Sequence, residues 1–99
     1  MKYVISWVAK PSLGEAEIAR SLQVFGKWTP SDKLTFEEFL GRADARGGYA
    51  VVTTDDINAV VHDMAIFGTW FEMEVVPVVE VGDLAALSGE ALQFIASVG

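Results

Sequence analysis

LTFEEFLGRADARGGYAVVTTDD, residues 34–56, is the stretch that decides the fold of this chain. Its centre predicts a tight turn, because Asp44 offers a side-chain acceptor and either Gly47 or Gly48 can take a positive φ. The β-branched and aromatic run from Tyr49 to Thr54 predicts a strand. Turn and strand together predict a β-hairpin.

The first arm of that hairpin, Thr35–Ala43, has two interpretations. Thr35 and Glu38 fit a helical capping box, and the apolar residues around them have helical spacing. As a strand, the segment breaks its alternation at Glu37 and Glu38, which requires a bulge or an exposed edge. We favour the strand, because the strand after the turn needs an antiparallel neighbour.

Outside the hairpin the pattern predicts alternating strands and helices. Met1–Val8 is apolar on both faces, which indicates a central strand, whereas Pro77 cannot donate to a sheet and indicates an edge strand. The other elements are a helix from Glu15 to near Trp28, a helix capped by Asp55 and Asp56 and ending at Phe67, a strand at Phe71–Val81, and a last helix capped by Asp83. The apolar stripe of the second helix contains Ile57, Val60, Val61, Met64 and Phe67.

This order predicts one α+β domain over residues 1–99. It is the ferredoxin-like βαββαβ arrangement, a four-stranded antiparallel sheet with helices on one face, followed by a C-terminal helix. The other face of the sheet then needs a cover. Since 52% of the residues are hydrophobic, which is high for so short a chain, we expect a homodimer that packs sheet to sheet as a dimeric α/β barrel.

The charge and the cysteine count restrict the partners and the compartment. Fourteen acidic residues against seven basic ones give a net charge of −7, which opposes nucleic acid binding. No cysteine is present, which favours the cytoplasm. Residues 1–9 are apolar enough to suggest a signal peptide, but Lys10 and Pro11 end them early, and we predict a strand. No stretch approaches the ~20 apolar residues of a membrane span.

The residues that carry chemistry are few. His62 is the only histidine, and it is the one candidate for a general base or a haem ligand, although an exposed histidine is the simpler interpretation. One histidine without cysteine predicts no metal site and no cofactor. No motif for nucleophilic catalysis is present.

The aromatic residues therefore carry the functional hypothesis. We predict that a small apolar or aromatic ligand binds in a pocket between sheet and helices. The same pocket would suit the substrate of a cofactor-independent monooxygenase- or isomerase-like enzyme. The predicted lining is Trp7, Trp28, Arg42, His62, Phe67 and Trp70. The alternative is that the aromatics form the core or a dimer interface, and that the protein is a non-catalytic dimerisation or interaction module.

Several segments resemble those of the small bacterial proteins known as the domain of unknown function 3303. They are the opening MKYVISW, Phe25-Gly26-Lys27-Trp28-Thr29-Pro30, the hairpin Asp44-x-Arg46-Gly47-Gly48-Tyr49-Ala50-Val51-Val52 with Asp55-Asp56 after it, and Val76-Pro77-Val78. The resemblance implies the dimeric α/β-barrel superfamily, which includes cofactor-independent monooxygenases, isomerase-like enzymes, haem-degrading enzymes and proteins without known activity. It also favours the strand at Thr35–Ala43, and it transfers no catalytic residue.

Overall fold

A computed structural model describes residues 1–99 and contains four strands and three helices. In chain order they are β1 (Lys2–Ala9), α1 (Glu15–Lys27), β2 (Thr35–Gly41), β3 (Gly47–Thr53), α2 (Ile57–Phe67), β4 (Phe71–Val78) and α3 (Val81–Ser97). The strands form one antiparallel sheet in the order β2-β3-β1-β4. This is the ferredoxin-like α+β arrangement with a C-terminal helix, so the predicted fold class is confirmed.

Strand β1, which the sequence places at the centre of the sheet, is central, and β3 is the other central strand. Ile5 of β1 lies opposite Ala50 of β3 on one side and opposite Val75 of β4 on the other. Pro77 of β4 lies opposite Tyr3 of β1. Because β4 is an edge strand with a neighbour on one side only, a residue without an N–H is tolerated there. The edge position predicted from this proline is confirmed.

The ambiguous first arm of the hairpin is a strand with a bulge. The register passes from Phe36 opposite Val52 to Glu38 opposite Val51, so Glu37 is the additional residue. Helical periodicity around these positions is overridden by pairing with β3, because a strand arm satisfies the backbone groups of both strands. The bulge falls at the pair of glutamates where the alternation of the sequence breaks.

The hairpin turn corrects the prediction for the glycines. Asp44 Oδ1 accepts a hydrogen bond from the Arg46 N–H at 3.1 Å, as expected for an Asx turn. The positive φ, however, is at Ala45 (61°), and no glycine of the chain has one. Gly47 and Gly48 instead lie within β3, where a side chain would collide with the neighbouring strands.

Helices α1 and α2 lie on the same face of the sheet, the face that carries Ile5. The buried core lies between this face and α2. It consists of Ile5, Leu34, Ala50, Val52, Ala59 and Val60, with Tyr3, Trp7, Phe36, Met64, Met73 and Val75 packed around it. Helix α1 has only one buried residue, Ser21, so it covers the sheet less closely than α2 does. The opposite face of the sheet, here called the open face, carries no helix.

Helix α2 is rotated relative to the predicted apolar stripe. Ala59 and Val60 are buried, whereas Ile57 and Val61 are 41% and 54% exposed. The rotation turns Asp63 inward, where its side chain is only 15% exposed. The stripe prediction is therefore wrong at two positions, because the small Ala59 allows close contact with the sheet that the larger Val61 does not have.

The N-terminus of α2 depends on Asp56. Its Oδ1 accepts from the Asn58 N–H at 3.0 Å, and Lys33 Nζ lies 3.1 Å from its Oδ2. The hydrogen bond from Lys33, followed by that from the Asn58 backbone, holds the pKa of Asp56 below its ordinary value. Asp55 makes no such bond, so only the second of the two predicted capping aspartates caps the helix.

We expect Asp56→Ala to lower the urea midpoint of unfolding at pH 7. Since the pKa of Asp56 is depressed in the folded state, its carboxylate stabilises the fold above the unfolded pKa, and this contribution is lost as pH falls through the folded pKa. The difference between wild type and variant should therefore shrink in acid. Urea titrations at several pH values measure it, with Asp55→Ala as the matched control. Equal shifts for the two variants would contradict the assignment of the cap.

The C-terminal end differs from the prediction in two ways. Strand β4 ends at Val78, and α3 begins at Val81, because the Leu84 N–H already donates to the Glu80 carbonyl at 3.1 Å. Asp83 therefore lies in the first turn and does not cap the helix.

Every residue of α3 is exposed, and the molecule measures 62 × 30 × 22 Å. None of the three helices has the length and apolarity needed to cross a membrane.

Candidate ligand-binding cavity

A cavity of about 480 Å³ lies between the helix-covered face of the sheet and helices α1 and α2. Thirteen of its sixteen lining residues are hydrophobic. They come from every element except α3: Ile5, Trp7, Ser21, Leu22, Phe25, Trp28, Leu34, Phe36, Phe39, Leu40, Gly41, Ala50, Asp63, Phe67, Phe71 and Met73. Leu22 and Phe25 are 66% and 49% exposed, so the cavity opens to solvent beside α1.

Six aromatic rings form one continuous wall of this cavity, which we call the aromatic cluster. Trp28 is at its centre, with its ring 5.3 Å from that of Phe67 and perpendicular to it. The members are Trp7, Phe25, Trp28, Phe36, Phe39 and Phe67. Most of their contacts are edge-to-face or tilted, the geometry that aromatic quadrupoles favour, which gives the wall a defined shape.

The bulge in β2 builds part of the aromatic cluster. In a regular strand Phe36 and Phe39 would point to opposite faces, because they are an odd number of residues apart. The additional residue Glu37 restores them to one face, with Phe36 opposite Val52 and Phe39 opposite Ala50. Their rings then stack at 5.3 Å with an interplanar angle of 23°. The bulge therefore places two aromatic rings at the cavity instead of one.

Asp63 supplies the one charged side chain of the cavity. Its Oδ1 accepts a hydrogen bond from Trp28 Nε1 at 3.1 Å, which fixes the indole ring against α2. The same oxygen lies 3.5 Å from His62 Nδ1, whose side chain is 75% exposed. Neighbouring helix positions diverge in direction, which disfavours pairing between these two residues. The contact exists, but at a length that makes it weak, and it lies at the surface side of the carboxylate.

The structure brings three of the six predicted pocket residues to the cavity, namely Trp7, Trp28 and Phe67. The other three do not line it. Arg42 lies in the hairpin turn, where its guanidinium donates to both carboxylate oxygens of Asp44. His62 points to solvent. Trp70 lies in the turn before β4, where its carbonyl accepts from the Lys10 N–H at 3.0 Å.

The sequence interpretation omitted several residues that line the cavity. Phe71 and Met73 were recoverable, because the alternation of β4 places them on the same face as Val75. To predict that Phe36 and Phe39 both line the cavity, the position of the bulge must be known, and the pair of glutamates indicates it. Asp63 required the rotation of α2, for which the sequence carries no signal beyond the small size of Ala59.

The groups with shifted pKa values lie outside the cavity. The hydrogen bonds that Lys2 donates to Glu37 and Glu80 raise the pKa of Lys2, and the one to Glu37 lowers the pKa of that carboxyl. In the hairpin turn the hydrogen bond from Arg42 lowers the pKa of Asp44. No three histidine, aspartate or glutamate side chains converge as a metal site would require. The cavity can thus supply apolar contact and one carboxylate, which is able to accept a hydrogen bond or a proton.

Comparison with known families gives a match. A family model described as "Domain of unknown function (DUF3303)" matches residues 1–92, which include all four strands, both helices that border the cavity and most of α3. No curated protein matches the chain.

Proposed function

Because the chain belongs to the DUF3303 family, whose description names no activity, we propose its function from the geometry: it binds a small apolar or aromatic molecule in the cavity between the sheet and helices α1 and α2. The observation that carries the proposal is the aromatic cluster around an open cavity. An unfilled space lined by exposed apolar side chains such as Leu22 is costly in water unless something occupies it.

The size of the cavity supports a small organic ligand. Ligand pockets usually measure about 300–1,000 Å³ and are lined mainly by apolar and aromatic groups with a few polar ones. The volume here, about 480 Å³, falls within that range, and Asp63 and Ser21 are the polar lining residues. Ser21 Oγ already donates to the Ile18 carbonyl at 2.7 Å, which leaves Asp63 as the main polar contact.

A cofactor-independent enzyme of the monooxygenase or isomerase type is the catalytic form of the same proposal. Asp63 would then be the proton acceptor, because it is the one ionisable group at the cavity. His62 is a weaker candidate, since its side chain is directed to solvent.

We also propose that the protein is located in the cytoplasm, which the absence of cysteine supports.

The proposal predicts tryptophan quenching by a suitable ligand. Titration with quinones, flavins, haem, aromatic acids and aromatic amines should include at least one compound that saturably quenches the emission of the wild type. Trp28→Phe should weaken that binding, because it removes an indole from the cavity wall. Trp70→Phe is the matched control, since Trp70 does not line the cavity, and it should retain the affinity.

Two results would count against ligand binding. One is the absence of saturable quenching with every compound. The other is a quenching compound whose affinity for the protein falls equally in Trp28→Phe and Trp70→Phe. Turnover that is lost in Asp63→Asn and retained in His62→Ala would support the enzyme, whereas a haem Soret band abolished by His62→Ala would assign iron ligation to that histidine.

We also propose that the chain forms a homodimer through the open face of the sheet, and this is the basis of the alternative function as an interaction module. Tyr49 and Val76 on that face are 46% and 48% exposed. They flank Ser6, Val4 and their neighbours on the central strands. A second copy would remove this apolar surface from water by packing the same face against it, with the glutamates of the edge strand β4 at the rim of the interface.

Helix α3 supports the same proposal. Its apolar residues are exposed, Val81 to 80% and Phe94 to 70%, although helices in proteins gain most of their stability from packing an apolar face. It contains Asp83 and Glu90 and no basic residue. Since anionic lipid surfaces attract basic helices, a protein surface is the better cover, and a second copy of this chain supplies one.

A further inference from the structure

The polar lining of the cavity restricts the charge of a molecule that would fit it. Sixteen residues line the cavity, and Asp63 alone among them carries a charge. Its side chain is 15% exposed, so the carboxylate is largely removed from water. A carboxylate in an apolar site is costly unless it is paired or fully hydrogen-bonded.

The protein itself satisfies only part of this carboxylate. Trp28 Nε1 donates to Oδ1 at 3.1 Å, and His62 Nδ1 approaches the same oxygen at 3.5 Å. No side chain or backbone N–H of the chain donates to Oδ2. That oxygen is not sealed from solvent either, since the structure contains no fully buried side-chain oxygen without a partner. Oδ2 is therefore free to accept a further hydrogen bond, and Asp63 lines the cavity.

The aromatic cluster adds a second preference for positive charge. The faces of tryptophan and phenylalanine rings carry partial negative charge, and groups of such rings bind ammonium ions by cation–π attraction. Here Trp28 belongs to the aromatic cluster and is also the donor to Asp63, so the carboxylate and the rings lie at one place.

Nothing at the cavity favours an anion. No lysine or arginine lines it, and Arg20 and Lys27 border a neighbouring groove between α1 and α2, which meets the cavity at Trp28. The net charge of −7 also raises the local concentration of cations and lowers that of anions.

We propose that the cavity binds an organic cation, a planar or aromatic body carrying one ammonium or amidinium group that donates to Asp63 Oδ2. This inference rests on the proposed ligand-binding function and specifies its ligand class. The apolar body occupies the space along Phe36, Phe39 and Phe67, and the charged end lies beside Trp28 and Asp63.

Three probes of the same shape and different charge test the inference: naphthylethylammonium, naphthylethanol and naphthylacetate. Calorimetry at neutral pH should show that the wild type binds the ammonium about tenfold more tightly than the alcohol and binds the acetate least. In Asp63→Asn the preference for the ammonium over the alcohol should fall severalfold, to the part that the aromatic cluster supplies, because the amide retains an acceptor for Trp28 without the charge. Trp28→Phe should weaken both probes and keep the preference for the cation.

The outcomes separate this inference from the proposed function. If the alcohol binds the wild type as tightly as the ammonium, the cation class is wrong and the ligand-binding cavity stands. If Asp63→Asn keeps the whole preference of the wild type, Asp63 does not bind the charged end and the inference is wrong in that respect. If no probe binds the wild type, this inference fails for these cations, and the broader ligand titration decides the cavity itself. Should Asp63→Asn fail to fold, as judged by circular dichroism, the ratio measured in the wild type decides the question.

Discussion

The Gly47→Ala variant is expected to lose about 3 kcal/mol of its free energy of unfolding, at the upper end of what overpacking usually costs. A β-carbon at Gly47 would run into the carbonyl oxygen of Trp7, and it would also lie 2.8 Å from the Trp7 carbonyl carbon and 3.0 Å from Val8 Cα. All of these atoms belong to the backbone of β1, so no side-chain rotation relieves the collision. The two central strands would have to separate.

Gly26→Ala is the matched control for this substitution. Gly26 lies in α1, and a β-carbon there meets no atom within 4 Å. It should stabilise the fold or leave it unchanged, because alanine is favoured over glycine in helices by about 0.5–1 kcal/mol. Urea denaturation followed by circular dichroism compares the two variants. If Gly47→Ala unfolds at the same urea concentration as Gly26→Ala, then the close approach of β3 to β1 is not a constraint on the fold.

The two glycines of the hairpin show which features of the fold can be predicted from the sequence and which cannot. The pair Gly47-Gly48 predicted the place of the hairpin, but its physical role is close contact and not positive φ, which Ala45 takes. A turn and a crowded strand both select glycine, and the sequence alone does not distinguish them. The topology survived this error, because the order of the elements and the two-sided apolar strand β1 determine it.

The cavity was harder to predict from the sequence than the fold, because its lining depends on shifts of one residue position in a strand or a helix. The bulge at Glu37 returns Phe36 and Phe39 to one face. The rotation of α2 buries Ala59 and turns Asp63 toward the cavity. Periodicity predicts the existence of a strand or a helix well, but a shift by one position reverses a strand face or turns a helix by about 100°.

The proposed dimer predicts that a single aspartate on the open face will separate the copies. We expect the wild type to scatter light as a particle of twice the 10.7 kDa chain mass, and Tyr49→Asp and Val76→Asp as particles of one chain mass. An unpaired charge buried in an interface costs about 3–5 kcal/mol, which corresponds to a loss of affinity of at least a hundredfold. Aspartate is preferred to lysine, because Glu72 and Glu74 on the same strand would pair with a lysine.

Both substituted side chains are exposed in the single chain, so the variants should keep the circular dichroism of the wild type. Val61→Asp is the matched control, because Val61 is 54% exposed on α2, away from the open face, and should leave the dimer intact. A shortened chain that ends at Glu80 then determines the part played by α3. If it dimerises as tightly as the full chain, the sheet alone forms the interface, and if it becomes monomeric, α3 is part of it. A wild type of one chain mass at micromolar concentration would contradict the dimer, since a face that packs against its own copy should already be paired there.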